Sequence, residues 1–312
     1  MPARSRCWTA SSCWYSSVLE LRGVSFRYPG AGTAALHGID LHLQAGECLG
    51  LLGGNGAGKT TLLSLLSGTL ALQQGEIRWN GPRSLGLVPQ QLAFYAELKV
   101  RENLTLFADL YRLRGSERQR RMALSIASAG LEDLLPRRAG RLSGGEQRRL
   151  NFAIGLLQPA RLYLFDEATV GVDASSRQLL LDAVEQLTAE GHGVIYTSHY
   201  LDEVERVAQR ILLLHEGRAR LDLDKRQLLD AGHGLLLEWP EQVPPGLDTL
   251  LGQLQLSAER LPSGGLRIAN LDAQQLLAIT AFASEQPTLP SLLRFGRPSL
   301  EQLYLSLNGG RL

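Results

Sequence analysis

The sequence lacks an excess of either charge, since 32 Lys and Arg residues face 31 Asp and Glu residues. A near-neutral chain has no global field that would attract DNA or RNA, so we expect no nucleic-acid partner. Long apolar runs are also missing, because none approaches the roughly 18 consecutive apolar residues that a transmembrane helix needs. If the chain serves a membrane process, we expect another polypeptide to form the path through the membrane.

Cysteine is scarce and follows no metal-binding spacing. The three cysteines are Cys7, Cys13 and Cys48, and Cys48 opens an apolar run that we expect to be a buried strand. An odd number without pairing or metal spacing is typical of a reducing compartment.

The first seventeen residues lack the apolar centre of a secretory signal. A basic start is followed by a mixture of Trp, Ser, Cys and Tyr, whereas a signal needs roughly 7–15 apolar residues. We therefore expect residues 1–17 to be a disordered extension or an artefact of start-site choice. A membrane-touching role for Trp8, Trp14 and Tyr15 stays open.

A glycine-rich stretch that ends in lysine and threonine predicts a phosphate-binding loop. It follows the apolar run Cys48–Leu52, which we expect to be a strand, and precedes residues 61–66, which we expect to be helical. Glycines let successive N–H groups converge on one anion, and the N-terminus of the next helix adds partial positive charge. Lysine can then reach the β- and γ-phosphates, and the threonine hydroxyl can ligate Mg²⁺. The stretch reads Gly53-Gly54-Asn55-Gly56-Ala57-Gly58-Lys59-Thr60.

A ligand-free glycine turn is the alternative for this stretch, but the strand before it and the helix after it favour a nucleoside triphosphate site. Two polar strand ends further along the chain strengthen that interpretation. Residues 161–167 form an apolar run that ends in Asp166 and Glu167, and residues 194–199 form another that ends in His199. In a phosphate-loop fold the first carboxylate lies near Mg²⁺, and the second can polarise a water at the γ-phosphate.

Together these motifs closely resemble the ATPase subunit of ABC transporters, over residues 18–230. The matching positions are the adenine-stacking aromatic (Tyr28), the Q-loop glutamine (Gln90), the LSGGQ signature (residues 142–147), the Walker B pair (Asp166 and Glu167), the D-loop aspartate (Asp173) and the switch histidine (His199). These matches stand in the order of the family. Three residues depart from its usual pattern, namely Gly54 in the phosphate loop, Glu146 in place of the signature's glutamine, and Ala168 in place of a proline.

The resemblance implies a fold and a domain organisation. We expect an α/β P-loop NTPase core with an antiparallel β subdomain over residues 18–230, and a helical subdomain at about residues 91–141. Within that subdomain, apolar residues at helical spacing predict helices over residues 100–111 and 116–129, the second capped by Ser116. Residues 231–312 are expected to form a small C-terminal α+β domain.

The C-terminal residues alternate between strand and helix patterns. We expect a strand over residues 234–240, a short helix from Asp248, a hairpin over residues 254–270, and helices over residues 272–285 and 299–307. No constellation of His, Cys or paired carboxylates assigns chemistry to this domain. This domain resembles the C-terminal extension that is common in the exporter branch of the family. Residues 170–173 and 197–203, within the cassette, also resemble that branch.

The resemblance also implies roles for single residues. ATP would stack its adenine on Tyr28 and place its phosphates on residues 53–61, which include Thr61, while Thr60, Gln90 and Asp166 would hold Mg²⁺. Glu167 would activate the attacking water, and His199 would hold Glu167 and the γ-phosphate in register. The shared-site residues, which would complete the site of a second copy or a homologous cassette, are Ser143, Gly144, Gly145, Glu146 and Asp173.

The expected partner besides a second cassette is an integral-membrane permease, contacted through the loop after Gln90. Phe94, Tyr95 and Glu97 are the candidates for that contact, although Phe94 and Tyr95 could equally pack on their own helix. The expected location is therefore cytoplasmic, peripheral on the inner face of the cell membrane. The expected function is ATP hydrolysis that powers export.

A non-transport ABC-type ATPase, acting in regulation, translation or DNA maintenance, is the alternative function. Translation factors of this kind usually carry two cassettes, and DNA-maintenance ATPases carry a long coiled coil between the motifs. This chain has one cassette, with about fifty residues between Gln90 and Leu142. Intact Glu167 and His199 speak against a purely regulatory cassette.

Overall fold

The computed structural model describes residues 17–225, 234–240, 243–260, 265–269 and 271–296. The predicted final helix at residues 299–307 lies outside the described residues, as do all but the last of residues 1–17. The chain divides into two compact units, Met1–Leu223 and Asp224–Leu312. This division lies close to the predicted end of the cassette at residue 230, which stays a prediction.

The first unit contains a three-stranded antiparallel sheet in the order β2-β1-β4. Its strands are β1 (Ser17–Phe26), β2 (Leu36–Gln44) and β4 (Gln74–Trp79), with Leu21 of β1 paired to Leu41 on one side and to Ile77 on the other. In the second half of β2, buried and exposed residues alternate, as expected for a strand with one face on a core. That buried face belongs to one apolar core with the neighbouring central sheet.

The central sheet has six strands in the order β5-β6-β7-β3-β8-β9. They are β3 (Cys48–Leu52), β5 (Leu85–Val88), β6 (Leu162–Asp166), β7 (Gly193–Thr197), β8 (Arg210–His215) and β9 (Arg218–Asp224). Every residue of β3, β6 and β7 is buried, which is typical of parallel strands covered on both faces. These three strands are neighbours and run parallel, so their carboxyl ends meet at one edge of the sheet.

Six helices complete the described part of the first unit, from residue 17 onward. They are α1 (Lys59–Ser67), α2 (Val100–Leu110), α3 (Gly115–Ala129), α4 (Gly144–Leu157), α5 (Ala174–Ala189) and α6 (Leu201–Val207), with short 3-10 turns at Glu132–Leu134 and Ala139–Arg141. Helices α2 and α3 lie where the sequence predicts them. The predicted cap at Ser116 is wrong, because α3 begins one residue earlier and Arg114 is its N-cap.

The described residues of the second unit form an antiparallel sheet and two helices. Its strand order is β11-β12-β10-β13, formed by β10 (Gly234–Glu238), β11 (Ala258–Arg260), β12 (Leu266–Ala269) and β13 (Leu292–Gly296). Helices α7 (Leu247–Gln253) and α8 (Ala273–Ser284) contribute buried side chains to its core. The predicted hairpin is present as β11 and β12, whereas β13 was not predicted from the sequence.

This architecture confirms the predicted fold class, a P-loop α/β core with antiparallel and helical parts and a small α+β unit. Within the described residues, no helix combines the length and apolar character that crossing a membrane requires.

Candidate active site

The loop between β3 and α1 has a backbone that its glycines make possible. Gly58 has φ +105°, and a Cβ there would lie 2.7 Å from the carbonyl oxygen of Ala35. Gly53 has φ +152°, and a Cβ there would lie 2.4 Å from the carbonyl oxygen of Leu214. Side chains at these two positions would therefore strain or displace the loop. Gly54 and Gly56, by contrast, have open space beside them.

Lys59 is the first residue of α1, and its side chain turns back onto the loop. Its Nζ donates to the carbonyl oxygen of Gly53 at 2.6 Å and to that of Gly54 at 3.2 Å. Burial lowers the pKa of Lys59, and the charges of Glu167 and then Asp166 oppose that shift. A cation is thus held within the loop, close to two carboxylates.

Asp166 and Glu167 lie at the carboxyl end of β6. The Asp166 carboxylate accepts a hydrogen bond from the Thr197 hydroxyl at 2.9 Å, at the end of the neighbouring strand β7. Burial raises the pKa of Asp166, and the hydrogen bond from Thr197 opposes that shift. Glu167 has φ +52°, an uncommon conformation for a residue with a side chain, which is often found at functional sites.

The Glu167 carboxylate is held on both oxygens. Gln90 donates from its side-chain amide to Oε2 at 2.8 Å, and Nε2 of His199 lies 2.7 Å from Oε1. The glutamine follows β5, the glutamate follows β6 and the histidine follows β7, so three adjacent strands deliver the three side chains to one point. The sequence alone does not fix these distances.

An open cleft of about 440 Å³ joins these groups, within the size range of small-molecule sites. The residues that line it are Tyr28, Ala35, Gly54, Asn55, Gly56, Ala57, Gly58, Lys59, Thr60, Thr61, Gln90, Glu167 and His199. The structure thereby brings together nearly all predicted phosphate-loop residues with the predicted glutamate, glutamine and histidine.

Tyr28 lies at this cleft with 42% of its surface exposed. Its ring packs edge-on against Phe26, with 5.0 Å between centroids, and its hydroxyl lies 3.2 Å from Oγ1 of Thr61. The ring is thus fixed at both ends beside the loop. Adenine stacking on Tyr28 stays a prediction.

The signature residues are not among those that line the cleft. Ser143 is the N-cap of α4, where its hydroxyl accepts from the backbone of Glu146 at 3.3 Å and the Glu146 carboxylate accepts from the backbone of Ser143 at 2.7 Å. Arg137 donates to the same carboxylate at 2.8 Å. Glu146, which replaces the signature's glutamine, therefore closes a capping box.

The D-loop aspartate lies beside the signature helix. Asp173 is the N-cap of α5, and hydrogen bonds from the Ser175 hydroxyl and the Ser176 backbone hold its pKa well below the ordinary value. A Cβ at Gly145 would lie 3.4 Å from the carbonyl oxygen of Gly171, so the start of α4 packs closely on the D-loop. The five predicted shared-site residues thus gather around two adjacent helix N-termini.

The sequence does not predict three contacts of the site. Thr197 bonds Asp166, Arg148 of α4 donates to the backbone carbonyl of Gln90, and Glu203 accepts from residues around His199. Thr197 and Glu203 both lie in the stretch 197–203 that resembles the exporter branch, which is a sequence signal for these residues but not for their partners. The contacts of Thr197 with Asp166 and of Arg148 with Gln90 join residues far apart in sequence.

Comparisons with known proteins identify the same family that the motifs indicate. A family model described as ABC transporter matches residues 36–170. Linearmycin resistance ATP-binding protein LnrL of Bacillus subtilis is 38% identical over 190 residues, which are 58% of this chain and 61% of that protein. The chain thus spans about three fifths of that relative's length.

A second relative matches nearly end to end. Nod factor export ATP-binding protein I of Ralstonia nicotianae is 31% identical over 307 residues, which are 94% of either chain. Among solved structures, one described as an ATP binding subunit of an ABC transporter has a TM-score of 0.63 and 27% identity, covering 68% of this chain and 92% of that chain.

Proposed function

The chain belongs to the ABC transporter family, and from that premise we propose that it is an ATP-hydrolysing subunit that powers a separate membrane permease. The observation that carries the proposal is the Glu167 carboxylate, held by Gln90 and His199 at a cleft that also contains Lys59. A carboxylate fixed on both oxygens beside a phosphate loop is placed to act on a water at the terminal phosphate.

The phosphate loop would bind the triphosphate of ATP. Its open positions at Gly54 and Gly56 leave space for phosphate oxygens, and Lys59 would leave the carbonyl oxygens of the loop to contact the β- and γ-phosphates. Tyr28, exposed at the same cleft, would stack on the adenine. Each role uses a group that the cleft already presents.

The oxygen-bearing side chains of Thr60, Gln90 and Asp166 fit Mg²⁺, which prefers oxygen ligands. Burial disfavours the ionised form of Asp166, and a divalent cation beside it would favour that form. The ion would neutralise phosphate charge that develops during the reaction. Thr197, through its hydrogen bond, fixes the Asp166 carboxylate.

Glu167 would orient the attacking water and take its proton as the water oxygen bonds to the γ-phosphorus, while the bond from that phosphorus to the bridging oxygen breaks and ADP leaves with that oxygen. His199 would hold Glu167 in place. Gln90 would transmit the closing and reopening of the site to the loop that follows it. The protein supplies position and charge rather than covalent chemistry, as is general for phosphoryl transfer.

A second copy of the chain, or a homologous cassette, would complete the site. The signature residues lie outside the cleft of their own chain, and Ser143 is the N-cap of a helix whose N-terminus, with its partial positive charge, suits an anion. A γ-phosphate bound by one chain would meet Ser143, Gly144 and Gly145 of the other. ATP would thus hold two chains together, and hydrolysis would release them.

The permease contact would lie after Gln90, and through it the protein would lie at the inner face of the cell membrane. Tyr95 is 56% exposed and Leu92 is 41% exposed, so this segment offers apolar surface to a partner. Export is favoured because the two relatives are named for linearmycin resistance and Nod factor export. These names also disfavour the non-transport alternative.

The contact is tested by purifying the tagged chain from its native membranes, alone and as Tyr95→Ala. We expect a polytopic membrane protein to co-purify with the wild type and to be depleted at least severalfold with Tyr95→Ala, while ATP hydrolysis by the isolated chain is unchanged. Leu124→Ala, a change at an exposed leucine on α3, is the control. Recovery of wild-type chain without any membrane protein would contradict the proposal.

A further inference from the structure

Glu203 is a fully buried carboxylate in the first turn of α6, outside the cleft that binds the phosphates. Its Oε2 accepts three hydrogen bonds from hydroxyl groups, namely those of Thr169 at 2.7 Å, Tyr196 at 2.9 Å and Ser198 at 2.6 Å. Isolated buried carboxylates are strongly unfavourable, so a group bound this way indicates a built network.

Arg177 forms an ion pair with the other carboxylate oxygen of Glu203. Its Nε lies 3.2 Å from Oε1 of Glu203, and its guanidinium lies 4.4 Å from the centre of the Tyr200 ring. Arg177 belongs to α5, the helix that Asp173 caps. The charge of Glu203 thus connects the helix after the D-loop to the segment around His199.

Two of the donors to Glu203 lie close in sequence to His199 and Glu167, the two side chains at the centre of the proposed reaction. Ser198 directly precedes His199, and its hydroxyl also accepts from the backbone of Tyr200 at 3.0 Å. Thr169 lies two residues after Glu167. Glu203 therefore fixes the chain on both sides of the 2.7 Å contact between His199 and Glu167.

We propose that Glu203 is a positioning residue for ATP hydrolysis, which holds His199 against Glu167 through Ser198 and Thr169. This inference rests on the proposed function. Glu203 contacts neither the phosphate loop nor the cleft, so its loss acts on the contact between the two side chains and not on ATP affinity. Its pairing with Arg177 also links that contact to the helix that follows the shared-site aspartate.

Glu203→Gln tests the proposal, because it keeps the size of the side chain and removes the charge that Arg177 and the hydroxyl groups bind. We expect kcat to fall about tenfold, because the contact between His199 and Glu167 is held less firmly, with KM for ATP changed less than about twofold. Asp202→Asn, which removes a charge from the exposed neighbour on the same turn, should leave both constants unchanged. An unchanged kcat for Glu203→Gln would overturn the proposal.

A second pair of variants separates positioning from a general effect on the fold. In a His199→Ala background the contact no longer exists, so Glu203→Gln should lower the residual rate less than about twofold. Equal losses in both backgrounds would overturn the proposal. Ser198→Ala, which removes one donor, should follow the same pattern and serves if Glu203→Gln does not fold. Absence of hydrolysis by the wild type would instead refute the proposed function.

Discussion

Replacement of Glu167 by glutamine should abolish ATP hydrolysis while the cleft keeps its shape. The carboxylate accepts from Gln90 on Oε2 and contacts His199 on Oε1. A glutamine with its amide oxygen toward Gln90 turns its NH₂ group toward His199, whose neutral ring nitrogen can accept. Both contacts survive in that orientation, so the substitution removes the basicity of the group and little else.

The expected loss follows from that single change. General-base assistance contributes about 10²–10⁴-fold to a rate, which corresponds to roughly 3–5 kcal/mol of barrier. We expect kcat of Glu167→Gln to fall by that factor in a phosphate-release assay, while the affinity for ATP, measured by titration with a fluorescent analogue, stays within a few-fold of the wild type. Glu132→Gln, at an exposed carboxylate outside the cleft, is the control. Hydrolysis at the wild-type rate by Glu167→Gln would refute the reasoning.

Two further predictions concern the charges beside Glu167. Lys59→Ala should weaken ATP binding about 10- to 100-fold, because a charge-assisted hydrogen bond contributes about 1.5–3 kcal/mol. Lys99→Ala, the control, should bind ATP as the wild type does. Equal ATP affinities of Lys59→Ala and the wild type would refute the loop as the phosphate site. Asp166→Asn should raise the unfolding temperature of the nucleotide-free protein at pH 7, because burial raises the pKa of Asp166 and so penalises its ionised form. This gain should shrink as the pH falls through that raised pKa and the wild type protonates, and a gain that grows on acidification would contradict the assignment.

The clustering of the site could be predicted from the sequence because it follows from strand order. Asp166, Glu167 and His199 come at the ends of apolar runs, and the ends of parallel strands meet at one edge of a sheet. The phosphate loop was equally predictable, because its glycines and Lys59 serve a backbone geometry that local sequence encodes.

Other contacts depend on packing that local sequence does not encode. Arg148 reaches the carbonyl of Gln90 from a helix that lies far along the chain, and Thr197 reaches Asp166 from the neighbouring strand, 31 residues further along the chain. The sequence predicts Ser116 as the N-cap of α3 because serine is a common N-cap, whereas the helix begins at Gly115. Strand β13 is mostly exposed and shows no alternation of burial, so its sequence gives no strand signal.

The central claim is that two chains share each ATP site, and ATP-dependent dimerisation of Glu167→Gln tests it most directly. Sedimentation with ATP and Mg²⁺ should give a particle of twice the chain's mass, and the monomer should return without ATP. Adding Ser143→Arg should keep ATP bound to the monomer but abolish the dimer, because the large side chain occupies the N-terminus of α4. A Ser143→Arg protein that still dimerises on ATP, and hydrolyses it normally when Glu167 is intact, would contradict the account.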